Sequence, residues 1–246
     1  MQLRELAAFL NTELRLADIK DYPNAVNGLQ VENLGEVSRV AVAVDACEYI
    51  LRAAVEQGAD LLIVHHGLFW SGLQPVTGAL YRKLKIALEA DLAVYSAHLP
   101  LDAHPTLGNN ALLCDALGLP PEREPFLDLG WKASLKISRE ELSDRLARAV
   151  GGRVHVAPGG AGTIRSVGVV TGGAGGEVFK AAQAGVDAFV SGEGPHWSYT
   201  AAEECGIDLF YGGHYATETF GVKALGALLE SRYGLPWQFI DHPTGL

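Results

Sequence analysis

The strongest constraint on this chain is that it carries the same strand, helix, strand pattern twice. Val42-Ala-Val-Asp45, a helical stretch and Gly58-Ala-Asp-Leu-Leu-Ile-Val-His-His-Gly67 are matched by Val169-Val-Thr-Gly172, a second helical stretch and Gly185-Val-Asp-Ala-Phe-Val-Ser-Gly-Glu-Gly194. Downstream, Tyr95-Ser-Ala-His98-x-x-x-Asp102 is matched by Tyr211-Gly-Gly-His214-x-x-x-Glu218. Short apolar runs alternating with segments of helical period are the pattern of buried parallel strands joined by helical crossovers. A duplicated unit of this kind predicts an α/β protein of two similar lobes with mostly parallel sheets. Each lobe would contribute a His-x-x-x-acid loop to a cleft shared between them.

Leu3, Leu6, Leu10 and Leu14 recur at helical spacing, and the turn formers of residues 21–28 read as a loop. Residues 39–44 read as a strand, 46–57 as a helix stopped at Gly58, and 60–64 as a strand delivering His65 and His66. A Gly/Pro-containing loop leads to a helix over 78–90, and the strand 92–96 runs into His98. Pro100 predicts a loop there, so that His98 and Asp102 need not share a helical face. After a helix over 109–117, Pro120, Pro121 and Pro125 break the periodicity. They predict a first lobe over 1–125 and a second over 126–246, with residues 219–246 packing back on the first. Strands are expected beyond them at 132–137, 153–156, 165–170, 187–191, 207–211 and 237–240. The helices between are expected at 139–150, 177–184, 199–205 and 217–233.

A chain of 246 residues, 48% of them hydrophobic and 20% charged, can bury a substantial core. Its formal net charge of −10 disfavours a surface that neutralises nucleic-acid phosphates. Cys47, Cys114 and Cys205 are scattered and in no C-x-x-C pair, so neither a disulfide framework nor a thiolate zinc site is expected, and a cytoplasmic protein fits best. Charged residues interrupt the N-terminal apolar residues as in an amphipathic helix rather than a signal peptide. No run reaches the roughly 20 apolar residues of a membrane span.

Histidines and carboxylates at the carboxyl ends of strands carry the chemistry. Consecutive side chains on a strand point to opposite faces, so His65 and His66 serve one site only where the strand has ended, or else serve two metals. His214, Asp102 and Glu218 complete a His/carboxylate set without thiolate, suited to two divalent ions of zinc, iron or manganese. Such a pair can hold a bridging hydroxide and polarise a carbonyl or imine. His98, the repeat partner of His214, is either a ligand or a residue that orients one. Glu193 and His196 stand where the second repeat corresponds to the twin-histidine loop; they read as groups that orient a ligand or transfer protons, or as a helix entry. His104, His155 and His242 read as surface or loop residues. Thr171-Gly-Gly-Ala-Gly-Gly-Glu177 is either a phosphate cradle or a tight glycine turn, and lacks the Gly-Lys-Ser/Thr of a P-loop.

Four motifs in order resemble one known family: Asn24-Ala-Val-Asn-Gly-Leu-Gln-Val31, Leu62-Ile-Val-His-His-Gly-Leu-Phe-Trp70, Ser96-Ala-His-Leu-Pro-Leu-Asp102 followed by Asn109, and Gly213-His-Tyr-Ala-Thr-Glu218. The chain is similar to the GTP cyclohydrolase 1 type 2 homolog family, the Nif-three-like dinuclear-metal proteins, in its short form without an inserted domain. The resemblance implies two α/β lobes, two divalent metal ions per chain, and a ring-shaped homohexamer. It carries the usual ligand positions onto His65, His66, Asp102, His214 and Glu218. It also implies a hydrolase that opens the guanine ring of GTP by metal-bound hydroxide, with His98 or His196 moving protons and residues such as Lys180 holding the triphosphate. A non-catalytic, metal-stabilised scaffold that binds a partner protein is the alternative from another class.

Overall fold

Apolar runs and helical periods alternate along the chain, and the folded elements follow them. A computed structural model describes residues 1–70 and 72–246; Ser71, within the loop expected before the third helix, lies outside the described residues. The elements begin with α1 (Leu3–Glu13), β1 (Gly28–Val31), β2 (Val40–Asp45), α2 (Glu48–Glu56), β3 (Leu61–His66), α3 (Gly78–Glu89), β4 (Ala93–Ser96), α4 (Leu99–Asp102) and α5 (Asn109–Ala116). They continue with β5 (Glu124–Phe126), β6 (Gly130–Ser138), α6 (Arg139–Val150), β7 (His155–Pro158), β8 (Thr163–Val169), a 3-10 turn (Ala174–Glu177) and α7 (Val178–Gln183). The last are β9 (Ala188–Ser191), α8 (Trp197–Cys205), β10 (Asp208–Tyr211), α9 (His214–Thr217), α10 (Thr219–Tyr233) and β11 (Trp237–Phe239). No described helix is long and apolar enough to cross a membrane.

One compact unit comprises Met1–Leu101 and Gly221–His242. Its sheet has the order β1-β4-β3-β2-β11, parallel throughout except for β1, which pairs antiparallel with β4. Val40, Val42, Val44, Leu61 and Ile63 are as buried as Ala41, Ala43, Leu62 and Val64 between them, so both faces of the sheet are covered. On one face Leu62, Val64 and Val94 pack with Ile50, Leu51 and Ala54 of α2 and Ala87 of α3. Each large apolar side chain buried this way stabilises by about 1.5–3 kcal/mol.

The other unit comprises Asp102–Phe220 and Pro243–Leu246. Its sheet has the order β5-β6-β8-β9-β10-β7, with β8, β9 and β10 parallel at the centre and antiparallel pairings outside them. Strand alternation sorts its residues onto two cores. Val167, Val190 and Phe210 pack with Leu113 and Cys114 of α5 and Leu142 and Leu146 of α6. Phe189 and Leu209 pack with Val178 and Ala181 of α7 and Ala201 and Ala202 of α8.

The repeat is visible in the hydrogen bonds. Asp60 Oδ2 accepts from the backbone N–H groups of Ser38 and Arg39 at 2.7 and 2.9 Å. Asp187 Oδ2 accepts from Arg165 and Ser166, the residues at the matching positions, at 2.7 and 3.1 Å. In each unit this aspartate opens the middle strand of three parallel ones, β2-β3-β4 and β8-β9-β10, whose carboxyl ends are where α/β proteins place ligands.

Four expectations change. Both twin histidines belong to β3, whose pairing with β4 ends at Val64 while His66 still pairs with Asp45 of β2. The His-x-x-x-acid stretches are single helical turns, α4 and α9, rather than loops. Pro100 is tolerated because it sits in the first turn, where a backbone N–H has no partner within the helix. The unit boundary falls at Leu101 rather than in the proline-rich stretch near 125, because α5 packs on the second sheet and the prolines only link it to β5. Finally, β1 and β5 are short edge strands; Glu124-Pro125-Phe126 holds a proline that an edge strand accepts.

Candidate metal centre

In the first unit, β3 and the turn after β4 bring three histidines together. One ring nitrogen each of His65, His66 and His98 lies within 4.8 Å of those of the other two. The His65 ring centroid is 4.8 Å from that of His66 and 4.9 Å from that of His98. Each ring is held at Nδ1 by an oxygen: His65 by the Ala97 carbonyl at 2.8 Å, His66 by Asp45 Oδ1 at 2.8 Å, and His98 by Asp21 Oδ1 at 2.9 Å. A carbonyl or carboxylate only accepts, so Nδ1 bears the proton and the lone pair of each neutral ring lies on Nε2.

In the second unit, Asp102 ends α4, His214 opens α9, and Glu218 follows α9. The His214 Nδ1 is held by Glu193 Oε1 at 2.8 Å, and its Nε2 lies 3.2 Å from Glu218 Oε2, one helical turn on. The hydrogen bond with Glu218 raises the His214 pKa to about 9, against the opposing effect of burial and with further help from Glu193. Asp102 and Glu218 are both buried, and carboxylate oxygens of the two lie within 4.8 Å of one another. Two buried carboxyl groups this close either share a proton or are neutralised by a positive charge. Asp102 Oδ1 also accepts from Asn109 Nδ2 at 2.8 Å. Asn110 Nδ2 donates to the Asp102 carbonyl at 3.1 Å, and its Oδ1 accepts from the Thr171 backbone at 2.7 Å.

The glycine-rich segment is a tight turn. Gly172 N donates to Thr217 Oγ1 at 3.1 Å, and Gly175 N to the Glu193 carbonyl at 2.9 Å, so these N–H groups are not aimed at a phosphate. Gly172 lets Glu218 come close: a Cβ on it would lie 2.2 Å from Glu218 Oε1. Lys180, expected to hold a triphosphate, ion-pairs with Glu177. His196 is exposed at the N-cap of α8 and joins none of the ligand-distance groups among the described residues. The cysteines join none of these groups either.

Imidazoles with Nδ1 anchored on oxygen, and carboxylates held by amides, are the environment metal ligands occupy in proteins, and this donor set fits a divalent transition metal. Sequence reasoning assigned no role to Asp21, read only as a turn former, or to Asp45. For Asp45 a signal existed: it is the polar end of Val40-Ala-Val-Ala-Val-Asp45, an otherwise apolar strand.

Fold and donor groups together define a duplicated α/β protein with His/Asp/Glu groups able to bind a metal. A model of the Duf34/NIF3 (NGG1p interacting factor 3) family matches residues 1–244. A relative from Halobacterium salinarum is 44% identical over the whole of both chains. One from Deinococcus radiodurans is 40% identical, covering 98% of this chain and 94% of its own. Both bear the name GTP cyclohydrolase 1 type 2 homolog. The crystal structure of TTHA1606 from Thermus thermophilus matches with a TM-score of 0.94 and 42% identity over the whole of both chains. The chain belongs to the DUF34/NIF3 family.

Proposed function

We propose that His65, His66, Asp102, His214 and Glu218 are the ligands of a centre of two divalent metal ions, zinc, iron or manganese, and that the protein is a metal-dependent hydrolase. The observation that supports this best is the anchoring of every strand-end histidine at Nδ1, by Ala97 O, Asp45, Asp21 and Glu193. Four imidazoles held the same way by unrelated partners are hard to account for as chance packing. When bound, the ions supply Lewis acidity and an activated water at neutral pH. The chain's own contribution is to fix the donors. Asn109 orients Asp102, Gly172 gives Glu218 room, and Asp45 sets the tautomer of His66.

The substrate class that the relatives' name suggests is a purine nucleotide whose ring is opened with loss of formate. Assembly into a homohexamer belongs to the same reading. The test is metal content per chain by elemental analysis on protein purified without tag or chelator, beside Asp102→Ala and Glu218→Ala, followed by formate release from GTP. The expected result is about two equivalents of metal, lost in both variants while their circular dichroism is unchanged. No metal after reconstitution would overturn the centre. Metal bound without turnover of GTP or other ring amides would leave the non-catalytic scaffold.

A further inference from the structure

His98 lies among the donors of the first unit, yet it is outside the five positions proposed above. What holds it is unusually complete. The Asp21 side chain is 6% exposed and accepts four hydrogen bonds: His98 Nδ1 at 2.9 Å, Asn27 Nδ2 at 2.7 Å, Leu99 N at 3.1 Å and Tyr22 N at 2.6 Å. Asn27 Oδ1 in turn accepts from the backbone N of His98 at 2.7 Å. One carboxylate therefore fixes both the ring of His98 and the first turn of α4.

The second repeat reaches the same arrangement by another route. His214, the counterpart of His98, is also held at Nδ1 by a carboxylate, Glu193, which comes from the loop after β9. Asp21 comes from residues 21–27, a segment outside the repeated unit. A tie serving only to close a loop would not need to fall on the same ring atom in both halves.

We infer that Asp21 is a positioning residue that makes His98 a third imidazole donor beside His65 and His66. The carboxylate keeps the proton on Nδ1, so the lone pair sits on Nε2, and one ring nitrogen of each of the three histidines lies within 4.8 Å of those of the other two. This inference rests on the metal-binding reading of the previous section.

The test has two arms on the full chain. In the first, long-range proton–nitrogen NMR of the metal-free protein reads the tautomer of His98. Wild type is expected to show the Nδ1–H form, and Asp21→Ala a shift toward the Nε2–H form. Wild type in the Nε2–H form, or no change in the variant, would overturn the inference even if the protein binds no metal. In the second, competition with a chromogenic chelator measures zinc affinity for wild type, Asp21→Ala, His98→Ala and the double variant. Asp21→Ala and His98→Ala are each expected to weaken zinc binding about 10–100-fold, and the double variant no further than His98→Ala alone. Additive losses, or unchanged affinity in His98→Ala, would each show that Asp21 does not act through a donor. Failure of wild type to bind zinc would instead defeat the metal-binding reading and leave the first arm standing.

Discussion

The two repeats share a scaffold but fill its corresponding positions with different chemistry. Where the first has Asp45, His65 and His66, the second has Gly172, Gly192 and Glu193. The first thus carries two imidazoles at these positions and the second none, with one carboxylate in each. The turn histidine is also reached differently, since β4 ends two residues before His98 and β10 three residues before His214, across Gly212 and Gly213. The hydrogen bonds that set up the parallel strands are preserved at matching positions in Asp60 and Asp187. Duplication has kept what makes the sheet and varied what lies at its carboxyl edge, as expected where the scaffold is separable from the chemistry it carries.

Exchanging the residues that differ gives the largest expected effect. Gly172→Asp would write the first repeat's residue into the second, but the backbone there has φ of +67° and the new Cβ would meet Glu218 Oε1. The variant is expected to lose bound metal entirely and to melt several degrees lower. The reciprocal Asp45→Gly removes only the partner of His66 Nδ1, so the fold should persist with metal affinity lowered about 10–100-fold. Calorimetric titration with zinc on both variants checks this asymmetry. Equal losses would mean that the two positions have the same role despite their different residues.

The residues that match should give matched effects of intermediate size. Asp60→Ala removes hydrogen bonds from Ser38 N, Ser38 Oγ and Arg39 N, and Asp187→Ala removes those from Arg165 N and Ser166 N. Hydrogen bonds to a charged group contribute about 1.5–3 kcal/mol each when buried and less at these partly exposed sites, so a loss of about 2 kcal/mol is expected in each. Asp60→Ala should be the more costly, because it loses one donor more. Urea denaturation measures the pair, and metal content should stay at the wild-type level in both. Loss of metal in either would tie these aspartates to the site rather than to the sheet.

Most of the scaffold was legible because it is repetitive and its signals are local. Apolar runs starting after Gly-x-Asp, helices stopping two residues before Gly58 and Gly185, and histidines at strand ends can all be read from neighbouring residues. The edge strands β1 and β5 were not legible, since a four-residue and a three-residue strand owe their pairing to the sheet beside them rather than to their own composition. Pro100 misled because its effect depends on where in the helix it falls. The same division runs through the site. The histidines and acids stand in motifs, whereas the residues that orient them, Asp21 on His98 and Asp45 on His66, lie 77 and 21 positions away along the chain and are brought there only by the fold.

The smallest effect concerns the proton on His214, whose Nε2 lies 3.2 Å from Glu218 Oε2 one turn on. Its pKa of about 9 lies above the ordinary 6.5, chiefly through the hydrogen bond with Glu218. A raised folded-state value means that the proton stabilises the metal-free fold. That contribution is fully present below pH 6.5 and fades as the pH rises through 9. Glu193→Gln removes the weaker of the two carboxylate partners, so the His214 titration should move down yet stay above 6.5, whereas Glu218→Gln should bring it lower still. Proton NMR of the His214 ring across roughly pH 5 to 10 in metal-free protein, at about half-unit steps that resolve a one-unit shift, reads both variants. The same proton competes with a metal for Nε2, so zinc binding at neutral pH should release it and strengthen as the pH approaches 9. A wild-type midpoint near 6.5 would show that Glu218 and Glu193 do not hold the imidazolium.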